Sequence, residues 1–142
     1  MTSMANRWPK LAKVLVVDDE PDVGNLLELT FSRAGLTVTK AADGAECLKL
    51  LREMTPDAIV LDLMMPGISG FELLAALKSR YAPDCLPAVI ILSACDDMES
   101  KVKGFMLGAC QYLVKPVARA RLVEVVRAAL DQRLAKPCAA GG

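Results

Sequence analysis

The strictest constraint in this sequence is an alternation of two patterns that cannot belong to one kind of element. Five short runs rich in β-branched and aliphatic residues recur along the chain: "KVLVVDD" (13–19), "LTVTKA" (36–41), "DAIVLD" (57–62), "AVIILSA" (88–94) and "QYLVK" (111–115). After each comes a longer stretch whose apolar residues fall three and four apart, the spacing of an amphipathic helix. The first, third and fourth runs are nearly all apolar, as central parallel strands covered on both faces must be. The second and fifth are mixed, which suits sheet edges.

The helical stripes are Val23, Leu26, Leu27, Thr30, Phe31 and Ala34, stopped by Gly35; Leu48, Leu51 and Met54, with Pro56 beyond; and Leu73, Leu74, Leu77 and Tyr81. Val102, Phe105, Met106 and Ala109 line the fourth, with Asp96 or Asp97 as its cap, and Leu122, Val125, Val126, Ala129 and Leu130 line the last. Five strand-helix units in strict order predict an α/β domain, a five-stranded parallel sheet doubly wound with five helices through right-handed crossovers. The expected strand order is 2-1-3-4-5, the flavodoxin-like arrangement, in which strands 1 and 3 meet at the switch point where ligands bind. The domain is expected over 13–135, with an extension at 1–12 and a loose tail at 136–142.

The chain has 142 residues, 54% of them apolar and 24% charged, enough for one domain to bury a core without staples. Lys plus Arg and Asp plus Glu number 17 each, so no net charge steers the chain toward nucleic acid or an anionic membrane. There is no His, which removes the usual general base, metal ligand and pH switch. Five widely spaced cysteines without a C-x-x-C pair suggest buried thiols rather than a disulfide framework or zinc site. No signal peptide or membrane-length apolar run is visible, so the expectation is a cytoplasmic protein without membrane insertion or direct nucleic-acid binding.

The strands deliver a pointed set of groups to one edge. Strand 1 ends in Asp18, Asp19 and Glu20, strand 3 in Asp62, strand 4 in Ser93, and strand 5 in Lys115 followed by Pro116. Singly, these are ordinary turn, cap or surface residues. Together, the acids of strands 1 and 3 would repel one another unless a hard cation bound through oxygens relieved them, and Mg²⁺ fits best. Metal, ammonium and hydroxyl around a carboxylate make an anion site in which that carboxylate can attack a phosphoryl group.

"VLVVDDEPDV", "IVLDLMMPGISG", "LSA" and "YLVKP", in this order and at these separations, resemble the receiver domain of two-component response regulators over residues 13 to 134. The resemblance implies that Asp62 is the phosphoacceptor and that Ser93 and Lys115 contact the phosphoryl oxygens. It implies Mg²⁺ on Asp19 directly, on Asp18 through water, on Asp62, and on the Met64 main-chain carbonyl. It further implies a cis Lys115-Pro116 bond and a switch aromatic at Tyr112 that turns inward with Ser93. The phosphodonor would be a histidine kinase or histidine phosphotransfer protein. The face of the fourth helix, fifth strand and fifth helix would bind a downstream protein, pass on the phosphoryl group in a phosphorelay, or form a phosphorylation-dependent homodimer.

Cys110 and Gln111 stand where family members often carry acids, a departure that touches partners. Met64 and Cys95 flank the site at two positions that tune loss of phosphate, and neither orients water, so a phosphorylated state of minutes or longer is expected. A pseudo-receiver is disfavoured because the acids, the Ser and the Lys are all present. A haloacid-dehalogenase-type phosphohydrolase wants a second acid where Met64 stands, and a cap domain. The reading is thus a signalling receiver rather than an enzyme, catalysing only its own phosphoryl transfer and slow dephosphorylation. It looks stand-alone, although a piece of a longer regulator would look the same.

Overall fold

Each apolar run becomes a strand and each periodic stretch opens as a helix, although the second helix stops at Leu50 and leaves Leu51 and Met54 of its stripe beyond its end. A computed structural model describes residues 12–82 and 85–135. Their order is β1 (Lys13–Val17), α1 (Pro21–Arg33), β2 (Thr37–Ala41), α2 (Gly44–Leu50), β3 (Ala58–Leu61), α3 (Gly70–Arg80), β4 (Ala88–Ser93), α4 (Met98–Met106), β5 (Gln111–Val114) and α5 (Arg119–Ala135). The five strands pair in parallel as β2-β1-β3-β4-β5, the expected order. The expected extension and tail fall, except for Ala12, outside the described residues.

Alternation along the strands divides the apolar residues between two layers. Val14, Val16, Ala58, Val60, Ile90 and Leu92 face Leu27 and Phe31 of α1 and Leu122, Val125, Val126, Ala129 and Leu130 of α5. Leu15, Val17, Ile59, Leu61, Val89 and Ile91 face Cys47 of α2 and Leu73, Leu74 and Leu77 of α3. Both faces of the central strands are therefore buried, which explains their unbroken apolar runs.

Local chemistry fixes where the helices begin and end. Pro21 opens α1, where its missing N–H is not needed. Asp43 caps α2 through the Glu46 N–H, and Ser69 and Glu72 form a reciprocal capping box on α3. Of the two candidates for α4, Asp97 is the cap, accepting from the Ser100 N–H at 2.9 Å. Gly35 follows α1 at φ 92°, as a helix stop should.

One stripe faces the wrong way. Of the expected stripe Val102, Phe105, Met106 and Ala109, only Ala109, just past the end of α4, is buried; the other three are exposed, Met106 at 72%, together with Met98 at 70%. The buried residue of the helix is Gly104. Helical spacing identifies an apolar face but carries no information about which side meets the sheet, and here that face looks outward. The expectation of buried thiols also needs correction. Cys47 is a buried free thiol, its pKa pushed up to about 12 by burial, but the free thiols Cys95 and Cys110 lie half-buried and exposed, and Cys85 is disulfide-bonded. Cys138 lies outside the described residues.

Candidate functional site

The register of the sheet brings the site together. Val17 pairs with Leu61, so the next residues, Asp18 and Asp62, leave neighbouring strand ends side by side. Asp18 N–H donates to the Ala41 carbonyl at 3.1 Å and Asp62 N–H to the Val17 carbonyl at 3.0 Å, continuing the ladder to the edge. Ser93 pairs with Val114 across the next ladder, and Lys115 N–H donates to the Ser93 carbonyl at 2.8 Å. The Lys115-Pro116 bond is cis. Asp18, Asp62 and Ser93 are the buried polar side chains among the described residues.

Lys115 reaches both acids. Its ammonium lies 3.4 Å from Asp18 Oδ2 and 3.5 Å from Asp62 Oδ2. The remaining oxygens are held by the backbone: Glu20 N–H donates to Asp18 Oδ1 at 2.9 Å and Met64 N–H to Asp62 Oδ1 at 3.0 Å. Burial pushes the pKa of Asp62 upward; the Met64 N–H and Lys115 pull it back, and the Asp18 charge adds to the rise. Burial works against the charge on Lys115, but the pull of Asp62 and Asp18 outweighs it, and its pKa is raised. The excess of negative charge over one ammonium is built into the strand ends.

Carboxylate oxygens of Asp18, Glu20 and Asp62 lie within 4.8 Å of one another. An all-oxygen donor set with two buried carboxylates suits a hard divalent cation such as Mg²⁺. Asp19, expected as a ligand, is half-buried and is not in that group. The chain bends at Asp19, and the Glu20 N–H closes back on Asp18 Oδ1 at 2.9 Å, so the segment after β1 is a turn rather than a continued strand. Glu20, outside the expected ligand set, is the strand-1 acid that joins Asp18 and Asp62, and no residue type in the sequence distinguishes it from Asp19. The Met64 side chain is 62% exposed beside the acids.

Ser93 and Tyr112 sit on the other flank. Cys95 N–H donates to Ser93 Oγ at 3.2 Å, and the Tyr112 hydroxyl donates to the Cys95 carbonyl at 2.7 Å. The ring is thus turned toward the loop that follows β4. Burial raises the pKa of the Tyr112 hydroxyl, with the Ser93 side chain acting in the opposite sense.

Comparison with known proteins adds a family. The model of the response regulator receiver domain matches residues 14–127. The transcriptional regulatory protein PrrA of Mycobacterium tuberculosis is 44% identical over 121 residues, 85% of this chain and 51% of that protein. The transcriptional regulatory protein AfsQ1 of Streptomyces coelicolor is 40% identical over 120 residues, 84% of this chain and 52% of that protein. The chain therefore spans about half the length of these curated relatives. Among solved structures, the receiver domain of the Francisella response regulator 1452 superposes with a TM-score of 0.78 at 36% identity, covering 85% of this chain and 98% of that one.

Proposed function

This chain belongs to the response regulator receiver domain family of two-component signalling, and on that premise we propose that Asp62 is its phosphoacceptor. The observation that carries the reading is the pairing of two buried carboxylates on adjacent strand ends with one ammonium 3.4 and 3.5 Å away. A buried acid pair of that kind works against the fold unless it is used. Met64 N–H fixes one oxygen of Asp62, so the carboxylate is already oriented before any ligand arrives. In transfer from a phosphohistidine, a carboxylate oxygen forms the new bond to phosphorus while the P–N bond breaks and its electron pair returns to the imidazole. Lys115 and the Ser93 hydroxyl are the proposed holders of the phosphoryl oxygens, and Lys115, now on Asp62 at 3.5 Å, would give up part of that contact to do so.

Asp18, Asp19, Asp62 and the Met64 carbonyl are the proposed holders of Mg²⁺, with Glu20 beside them. A bound Mg²⁺ neutralises charge on the phosphoryl group during transfer. Asp19 would hold the ion together with Asp18 and Asp62, and Glu20, exposed on the rim, would add its negative charge beside them. Tyr112 is proposed to follow Ser93, so that the phosphoryl group is read on the face of α4, β5 and α5. A histidine kinase or phosphotransfer protein as donor, a downstream protein or a homodimer on that face, and a cytoplasmic location belong to the same proposal. Among the described residues, no helix is long and apolar enough to cross a membrane.

The test is incubation with acetyl phosphate and Mg²⁺, read by intact mass. Wild type is expected to gain one phosphoryl group and Asp62→Ala none. A wild type that stays unmodified with several small donors would leave a partner-binding module that works without phosphate.

A further inference from the structure

α4 rests on the sheet through its smallest residue. A Cβ built on Gly104 would lie 2.7 Å from Ile91 Cδ1 and 3.4 Å from Cδ2 of the Tyr112 ring. Ile91 is fully buried in the layer beneath and has little freedom to turn aside. Glycine is a poor helix former, so its place inside the last turn of a nine-residue helix, buried where its neighbours are exposed, calls for a reason from packing.

Two other contacts hold the helix where it is. Lys103 lies 4.6 Å above the Phe71 ring of α3, and Lys78 of α3 donates to the Met106 carbonyl at 3.2 Å. Both are exposed and both tie α4 sideways. Toward the sheet, Leu107 and Ala109 pack just past the end of the helix, and the close approach within it is at Gly104, over Ile91 and Tyr112. The Tyr112 ring lies under that point, with its hydroxyl on the Cys95 carbonyl at 2.7 Å.

The geometry points to Gly104 as a positioning residue for Tyr112. Its bare backbone lets α4 lie low enough to cover the ring and keep the hydroxyl on Cys95. A side chain there lifts α4 off Ile91, uncovers the ring and frees it to swing out. The link from ring position to signalling rests on the switch reading proposed above; the steric link between Gly104 and the ring does not.

The chain has two tyrosines, Tyr81 and Tyr112, so protein labelled with 3-fluorotyrosine gives two fluorine resonances, and Tyr81 serves as internal reference. Gly104→Ala is expected to move the Tyr112 resonance toward that of a solvent-exposed tyrosine, its inward-to-outward ratio falling about tenfold, as overpacking by a methyl group commonly produces. Adding Ile91→Val removes the obstructing Cδ1 and brings the resonance back. A role in helix formation alone predicts the reverse, a more stable helix with Tyr112 unmoved. An unchanged Tyr112 signal in both Gly104→Ala and Gly104→Val overturns the proposal, as does a shift that Ile91→Val fails to reverse. If Gly104→Ala does not fold by itself, the double variant decides: it must fold with Tyr112 at its wild-type position. Phosphate uptake from acetyl phosphate, measured on the same samples, is a separate readout, so a wild type that takes none overturns the phosphoacceptor reading while the resonances still judge Gly104.

Discussion

At the scale of single residues, Asp62 is held at a cost that can be measured without any phosphate. Its pKa is raised by burial, so the folded state prefers the protonated form more than the unfolded chain does. The sign follows: this contribution to stability is fully present below the unfolded carboxylate pKa and is lost as pH rises through the folded value. Asp62→Asn should therefore raise stability to urea by roughly 1 kcal/mol at neutral pH, with the gain fading as the solution is acidified. A variant less stable than wild type at pH 7 would show that Asp62 is better compensated than its burial implies. Loss of phosphate is also set by single side chains. Met64 is an exposed thioether, and the Cys95 carbonyl is already engaged by Tyr112, so neither presents a group that would orient an attacking water. The phosphorylated protein should decay over minutes or longer, followed by intact mass after removal of the donor, and a half-life of a few seconds would refute this. The identities of the converging groups were legible in the sequence because each ends an unmistakable strand. The oxygen-by-oxygen pairing, and the gathering of Glu20 rather than Asp19 with Asp18 and Asp62, depends on backbone direction at the end of β1, which residue type does not encode.

At the scale of elements, the turn from β3 into α3 brings backbone closest at a glycine among the described residues. A Cβ on Gly70 would lie 2.5 Å from Leu63 Cα and 3.0 Å from the Asp62 carbonyl oxygen. Backbone cannot give way as a side-chain tip can, so Gly70→Ala should cost about 2–3 kcal/mol in chemical denaturation and slow phosphate uptake by displacing the loop that carries Met64. A variant of unchanged stability and uptake would show that this loop is softer than its packing suggests. Pro66 and two glycines mark a turn here, but residue type does not show which glycine is indispensable: Gly67 takes a positive φ of 78° in open space, while Gly70 is needed for closeness alone. The caps at Asp43 and Ser69 follow a signal the sequence carries, an Asp or Ser three residues before a Glu. The orientation of α4 was beyond sequence reasoning, since its polar and apolar faces are both well formed and only the sheet decides which one is covered.

At the scale of the whole molecule, one sheet serves two apolar layers, and neither can come apart while the other stays intact. Val60 faces the α1 and α5 layer and Ile59 the α2 and α3 layer. Val60→Ala and Ile59→Ala should both lower the same single unfolding transition, each by ~1–4 kcal/mol. Two separated transitions in either variant would mean that the layers melt independently. Strand order and layering were legible throughout because runs apolar on both faces can occupy only the middle of such a sheet. The outward stripe of α4 has a different consequence for the molecule. Met98, Val102, Phe105 and Met106 help to close neither layer, so exchanges among them leave the domain as sturdy as before while altering what it can adhere to. Durability and acquaintance are thus written on opposite sides of one short helix, and the second can be rewritten without disturbing the first.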